Sequence, residues 1–115
     1  MTTVTIIRNA SDHTYKEFHC FGHARNHRFL LTRDTQDIVC ASISVLVINT
    51  INAMDELADE QLQVTTNEET GFIRCVFTGK PSEKSILLMD ALLLGLDGIS
   101  KQYGEKFLQV KFEEV

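Results

Sequence analysis

The stretch Asp37-Ile38-Val39-Cys40-Ala41-Ser42-Ile43-Ser44-Val45-Leu46-Val47-Ile48 decides how the rest of this chain is read. Its β-branched content favours a strand. Its length favours a helix, because the apolar run continues through Ile51, Met54 and Leu57. Read as a helix opening at Asp37, it is apolar nearly all round. That predicts a central helix buried on several sides, in part against a second subunit.

The flanking segments then fall into strands and one more helix. Val4 to Arg8 is β-rich and bounded by Asn9-Ala10-Ser11-Asp12, which predicts a strand followed by a turn. Tyr15 to Gly22 is the second strand and forms a hairpin with the first. Phe18 and Cys20 fall on one face of it, Glu17 and His19 on the other. Ala24 to Gln36 is polar, lacks periodicity and reads as a loop; loops this long carry function more often than they serve as plain connections.

Leu62 to Thr66 and Phe72 to Thr78 flank Asn67-Glu68-Glu69-Thr70-Gly71, a hairpin signal. Gly79-Lys80-Pro81-Ser82 is a turn into a helix from Ser82 to Tyr103. Pro81 suits its first turn, Ser82 its N-cap and Gly104 its C-cap. Ile86, Met89, Leu92, Leu93, Leu96 and Ile99 form its apolar face. Phe107 to Phe112 alternates as the last strand. The order β-β-α-β-β-α-β predicts an α+β fold, a mostly antiparallel five-stranded sheet with two helices, as one domain over residues 1–115.

Composition removes several function classes. The chain has 115 residues, 43% hydrophobic and 23% charged, as globular domains do. A net charge of −5 without a basic stripe argues against nucleic acid as a partner. No run of about 18 uninterrupted apolar residues occurs, so no membrane span is expected. The N-terminus lacks a positive segment followed by an apolar core, so no signal peptide is expected. Cys20, Cys40 and Cys75 are odd in number and scattered, which reads as free thiols in a reducing cytoplasm.

Chemistry concentrates between Gly22 and Ser44. A cysteine in the first turn of a helix meets unpaired backbone N–H groups and the positive end of the macrodipole, and both favour a thiolate. His23, at the end of a neighbouring strand, is placed to accept a proton and pair with that thiolate. Asp37 suits the N-cap, and Ser44 lies one turn beyond Cys40 on the same face. On residue chemistry alone, an inert buried thiol in an apolar helix is the favoured reading of Cys40. Cys20 and Cys75 read as core fillers. The acidic pairs Asp55-Glu56 and Asp59-Glu60 read as a solvated helix end. Zinc is not expected. His19 and His23 lie about 13 Å apart at roughly 3.3 Å per strand residue, and no C-x-x-C occurs.

Gly22-His23-Ala24, a loop, and then Asp37-Ile38-Val39-Cys40-Ala41 with Ser44 together resemble the signature of the ribosomal-processing cysteine protease family, Prp. The resemblance covers the whole chain. It implies a cytoplasmic, homodimeric endopeptidase without cofactor or metal. Such an enzyme removes the N-terminal extension of a large-subunit bacterial ribosomal protein, just after a Phe-containing motif. It places the catalytic pair on His23 and Cys40, with Gly22, Asp37 and Ser44 in support. The loop departs from the family's pattern, being longer, basic and centred on Phe29-Leu30-Leu31, with Thr35-Gln36 directly before Asp37. A reading from a different class is a dimeric module that binds an extended peptide by strand addition and cuts nothing.

Overall fold

Alternation along the first strand sets the layers. The protein is described by a computed structural model over residues 1–21 and 35–115, the side chains of residues 36 and 37 excepted. β1 (Thr2–Arg8) turns Thr2, Val4 and Ile6 to one face, where all three are fully buried. β2 (Tyr15–Phe21) pairs with it antiparallel, setting Val4 opposite Cys20 and Ile6 opposite Phe18. Phe18 and Cys20 are buried, and Glu17 and His19 face away, as their alternation predicts.

The remaining strands extend this face in both directions. β3 (Leu62–Asn67) and β4 (Phe72–Phe77) form the expected hairpin. Its turn is closed by Asn67, whose side-chain oxygen accepts from the amides of Glu69 and Thr70, and by Gly71 at positive φ. β4 pairs antiparallel with β2, and β5 (Leu108–Glu114) pairs parallel with β1. The sheet order is β3-β4-β2-β1-β5. The sheet is thus mostly antiparallel, and the one parallel ladder follows from a helical crossover. Parallel strands cannot be joined by a tight turn, so the chain returns through a helix.

Both helices cover the same sheet face. α1 (Thr35–Leu57) contributes Val39, Ile43, Val47, Ile51 and Met54 to the core; α2 (Glu83–Tyr103) contributes Met89, Leu92 and Leu96. They meet Val4, Ile6, Phe18, Cys20, Cys75, Phe77 and Leu108 in one cluster. The helices also pack on each other. At Gly95 a Cβ atom would come within 3.1 Å of a Leu46 methyl group, so the missing side chain is what lets them approach. Ser82 caps α2 by accepting from the amide of Ser85, and Gly104 ends it at positive φ with its N–H on the Ser100 carbonyl. Pro81 precedes the cap and does not stand in the first turn.

Expectations at the ends of α1 are corrected. α1 opens at Thr35, two residues before Asp37, so Asp37 is the third helical residue rather than the cap. Thr35 and Gln36 therefore belong to the helix and not to the loop. Within the single chain α1 is buried along one stripe, and Ile38, Val45 and Ile48 on its outer side are exposed. Ile38–Leu57 is also long and apolar enough, by length and composition, to cross a membrane. Its inner stripe instead packs on the sheet. α1 ends at Leu57 with Asp55 and Glu56 exposed, whereas Asp59 and Glu60 lie beyond the helix, and the Glu60 carboxylate accepts from the Ser82 amide at 2.9 Å.

Candidate active site

The start of β1 and the N-terminal part of α1 converge on one sulfur atom. Alternation puts Thr2 on the inner face of the sheet, directly beneath α1. Helical spacing puts Cys40 on the same side as Val39 and Ile43, which face the sheet. The Thr2 Oγ1 atom lies 3.3 Å from Cys40 Sγ, a hydrogen bond in which either group can donate. Thr2 is 0% exposed and Cys40 8% exposed. β1 is held there by a bond from the Thr2 amide to the Phe107 carbonyl and by the parallel partner Leu108. Sequence reading missed Thr2. The available signal was a polar residue at the first inward position of the pattern Thr2-x-Val4-x-Ile6.

The helix start alters the expected electrostatics. With α1 beginning at Thr35, Cys40 is its sixth residue, in the second turn. Its own amide is then within the reach of ordinary helical bonding. The unpaired amides belong to the residues around 35–37. The dipole acts mainly within the first turn, so its hold on Cys40 is weaker than the sequence predicts. The Thr2 hydroxyl is a nearer polar group. Ser44 lies one turn past Cys40 and is half-buried. Gly22, His23 and the loop residues 24–34 lie outside the described residues, as does the side chain of Asp37. Phe21, the residue before Gly22, has Thr3 as its Cα partner.

The other two cysteines sit in different surroundings. Burial pushes the Cys20 thiol up to about 11, with a smaller push from Cys40, and pushes the Cys75 thiol up to about 12. Both are neutral thiols packed in the core, as expected. On the opposite face of the sheet, His19 and Phe21 lean on Phe72 with ring centroids 6.1 and 6.2 Å away. His19 therefore faces away from Cys20. Among the described residues no three His, Cys, Asp or Glu side chains gather in a way that holds a metal ion.

Comparisons with known proteins agree with this architecture. The chain is 28% identical to SMU.848 from Streptococcus mutans over 100% of this chain and 99% of that one, with a TM-score of 0.82. It superposes on the essential ribosomal processing protease Prp from S. aureus in complex with a substrate peptide, with a TM-score of 0.84 at 20% identity, covering 98% of this chain and 100% of that one. A second structure of that protease, with a covalently linked product peptide, gives a TM-score of 0.80 at 21% identity over the same shares of each chain. No curated protein matches the sequence. The family model of the cysteine protease Prp matches residues 1–108, a span that holds β1, β2, both boxes and both helices, and the chain belongs to that family.

Proposed function

We propose that this protein is an endopeptidase that removes the N-terminal extension of a large-subunit ribosomal protein, with Cys40 as nucleophile and His23 as its base. The observation that carries the reading is the family match over residues 1–108, which includes Gly22-His23-Ala24 and Asp37-Ile38-Val39-Cys40-Ala41. Two further observations support it. Cys40 has a polar partner and residual exposure, whereas Cys20 and Cys75 have an apolar bed. β2 also ends, at Phe21, opposite Thr3, the strand neighbour of Thr2. The proteases of the same fold from S. aureus hold a substrate peptide and a covalently linked product peptide.

The reaction is acyl transfer. The Cys40 thiolate adds to the scissile carbonyl carbon, forming the carbon–sulfur bond and an oxyanion. His23 gives its proton to the leaving amine as the carbon–nitrogen bond breaks. It then takes a proton from water, which adds to the thioester and frees the carboxylate and the thiolate. Backbone amides around residues 35–37 are the candidate donors to the oxyanion. Asp37 and Ser44, with Gly22, act in support of this pair. The enzyme works in the cytoplasm as a homodimer. The exposed outer stripe of α1 (Ile38, Val45, Ile48) and Leu87 and Leu94 of α2 supply the apolar surface that a second copy covers.

The test is cleavage of a peptide copying the N-terminal extension of the host's own ribosomal protein, read by mass spectrometry. Cutting at one bond by the parent, absent in Cys40→Ala and His23→Ala, is the expected result. Cutting that survives in Cys40→Ala contradicts the assignment. A peptide that binds without being cut favours the strand-addition module instead, with the exposed edge strand β3 as the docking edge.

A further inference from the structure

We infer that Thr2 is a positioning residue for the nucleophile, donating its hydroxyl proton to the Cys40 sulfur when that sulfur is a thiolate. The inference rests on the reading of Cys40 as the attacking atom and adds a residue outside both sequence boxes. Three observations carry it.

The first is geometry. Oγ1 and Sγ are 3.3 Å apart, within hydrogen-bond reach for sulfur, and both side chains are buried. The second is the solitude of the hydroxyl. Among the described residues, Cys40 is the one partner of the Thr2 side chain. A hydroxyl taken wholly out of water is destabilising unless bonded, and here the sulfur is what satisfies it. The third is register. Thr2 occupies the same inward row as Val4 and Ile6, and its strand neighbours in that row are apolar, Leu108 beside Thr2 and Val110 beside Val4. Valine has the shape of threonine and fits such a row. The hydroxyl therefore has no packing role that valine lacks, and its one distinguishing neighbour is the sulfur.

The chemistry follows from direction. While Cys40 is a thiol, the S–H donates to the threonine oxygen or the hydroxyl donates to the sulfur. A thiolate has no proton, so the threonine must donate. A hydrogen bond to the charged form strengthens that form relative to the neutral one. It also restrains the cysteine rotamer, keeping the sulfur at the β1 end of α1. Thr2 is thus placed to assist where the helix dipole, felt mainly one turn earlier, falls short.

The experiment compares the parent with Thr2→Val, Thr2→Ser and Cys40→Ala. Peptide cleavage gives kcat and KM, and the alkylation rate of Cys40 by iodoacetamide is followed against pH. Thr2→Val is expected to lower kcat at least about tenfold with KM little changed. It is also expected to move the alkylation profile toward alkaline pH. Thr2→Ser, which keeps the hydroxyl, recovers most of both losses. A purely structural Thr2 changes the melting temperature without moving the alkylation profile, and that result overturns the inference. So does a Thr2→Val protein with parental kcat and profile while Cys40→Ala is inactive. If the parent itself cuts nothing, the protease reading fails, and the alkylation profile alone still decides the Thr2 contact. Should Thr2→Val fold poorly, Thr2→Ala removes the hydroxyl with less volume and is read in the same way.

Discussion

Cys40 and Cys75 are the same residue in two environments, and the contrast sets a thiol with a polar partner against one sealed in the sheet. Cys75 lies mid-strand in β4, 0% exposed, with Phe18 as its Cα partner across β2 and Val64 across β3. Burial alone pushes its thiol up to about 12. Cys40 lies near a helix end, slightly exposed, with a threonine hydroxyl on its sulfur. Cys20 stands between them, buried in the sheet like Cys75, with its thiol pushed up to about 11 chiefly by burial. Position in the layers, and not the cysteine itself, sets the chemistry. The middle of the sheet offers only apolar contacts, whereas its open end, where β1 begins and α1 enters, offers polar ones.

The largest test of this contrast is activity. Cys40→Ala is expected to reduce peptide cleavage by at least about a thousandfold, while Cys20→Ala and Cys75→Ala stay near the parent, all measured as kcat/KM. A large loss in Cys75→Ala at unchanged stability breaks the comparison.

Next in size is selective labelling. Iodoacetamide in slight excess at neutral pH is expected to modify Cys40, located by peptide mapping. Cys20 and Cys75 should label only when denaturant opens the core, because a thiol held up to about 11 or 12 carries almost no thiolate at neutral pH.

Stability sharpens the same contrast. Cys75→Ser places a hydroxyl among apolar side chains and is expected to cost about 1–3 kcal/mol. Cys40→Ser keeps a polar partner in Thr2 and is expected to cost less. The two shifts in denaturant midpoint measure how polar each environment is.

The smallest effect lies on the outer face of the sheet, away from all three cysteines. Arg74 Nε donates to Glu17 at 2.6 Å, and this bond holds the Glu17 carboxyl below its ordinary value. A carboxyl lowered in the folded state stabilises above its unfolded value, about 4.3, and loses that contribution as pH falls below it. The Arg74 side chain is half-exposed, so Glu17→Gln is expected to cost no more than about 0.5 kcal/mol at pH 7 and less near pH 3. Melting temperatures at the two pH values check this.

Much of the fold was legible in the sequence, for identifiable reasons. Strand alternation in Val4–Ile6 and Phe18–Cys20, the Asn67–Gly71 turn and the Ser82 cap each carry a local physical signal, and each appears in the structure. The start of α1 was misread because Thr35-Gln36 looks like loop while Asp37 looks like a cap. Which stripe of α1 meets the sheet was not legible, because an all-round apolar helix gives no sign of it; Val45 and Ile48 lie on the other stripe. At the candidate site, the boxes point to Cys40. They could not name Thr2, because its contact with Cys40 spans 38 positions and exists only once β1 lies beneath α1.

The most direct test of Cys40 as the attacking atom is covalent capture. The parent is incubated with a peptidyl fluoromethyl ketone carrying the sequence of the ribosomal-protein extension, then digested and mapped by mass spectrometry. One adduct, on Cys40, is the predicted result. An adduct on Cys20 or Cys75, or uncaptured protein that still cleaves the parent peptide, contradicts it.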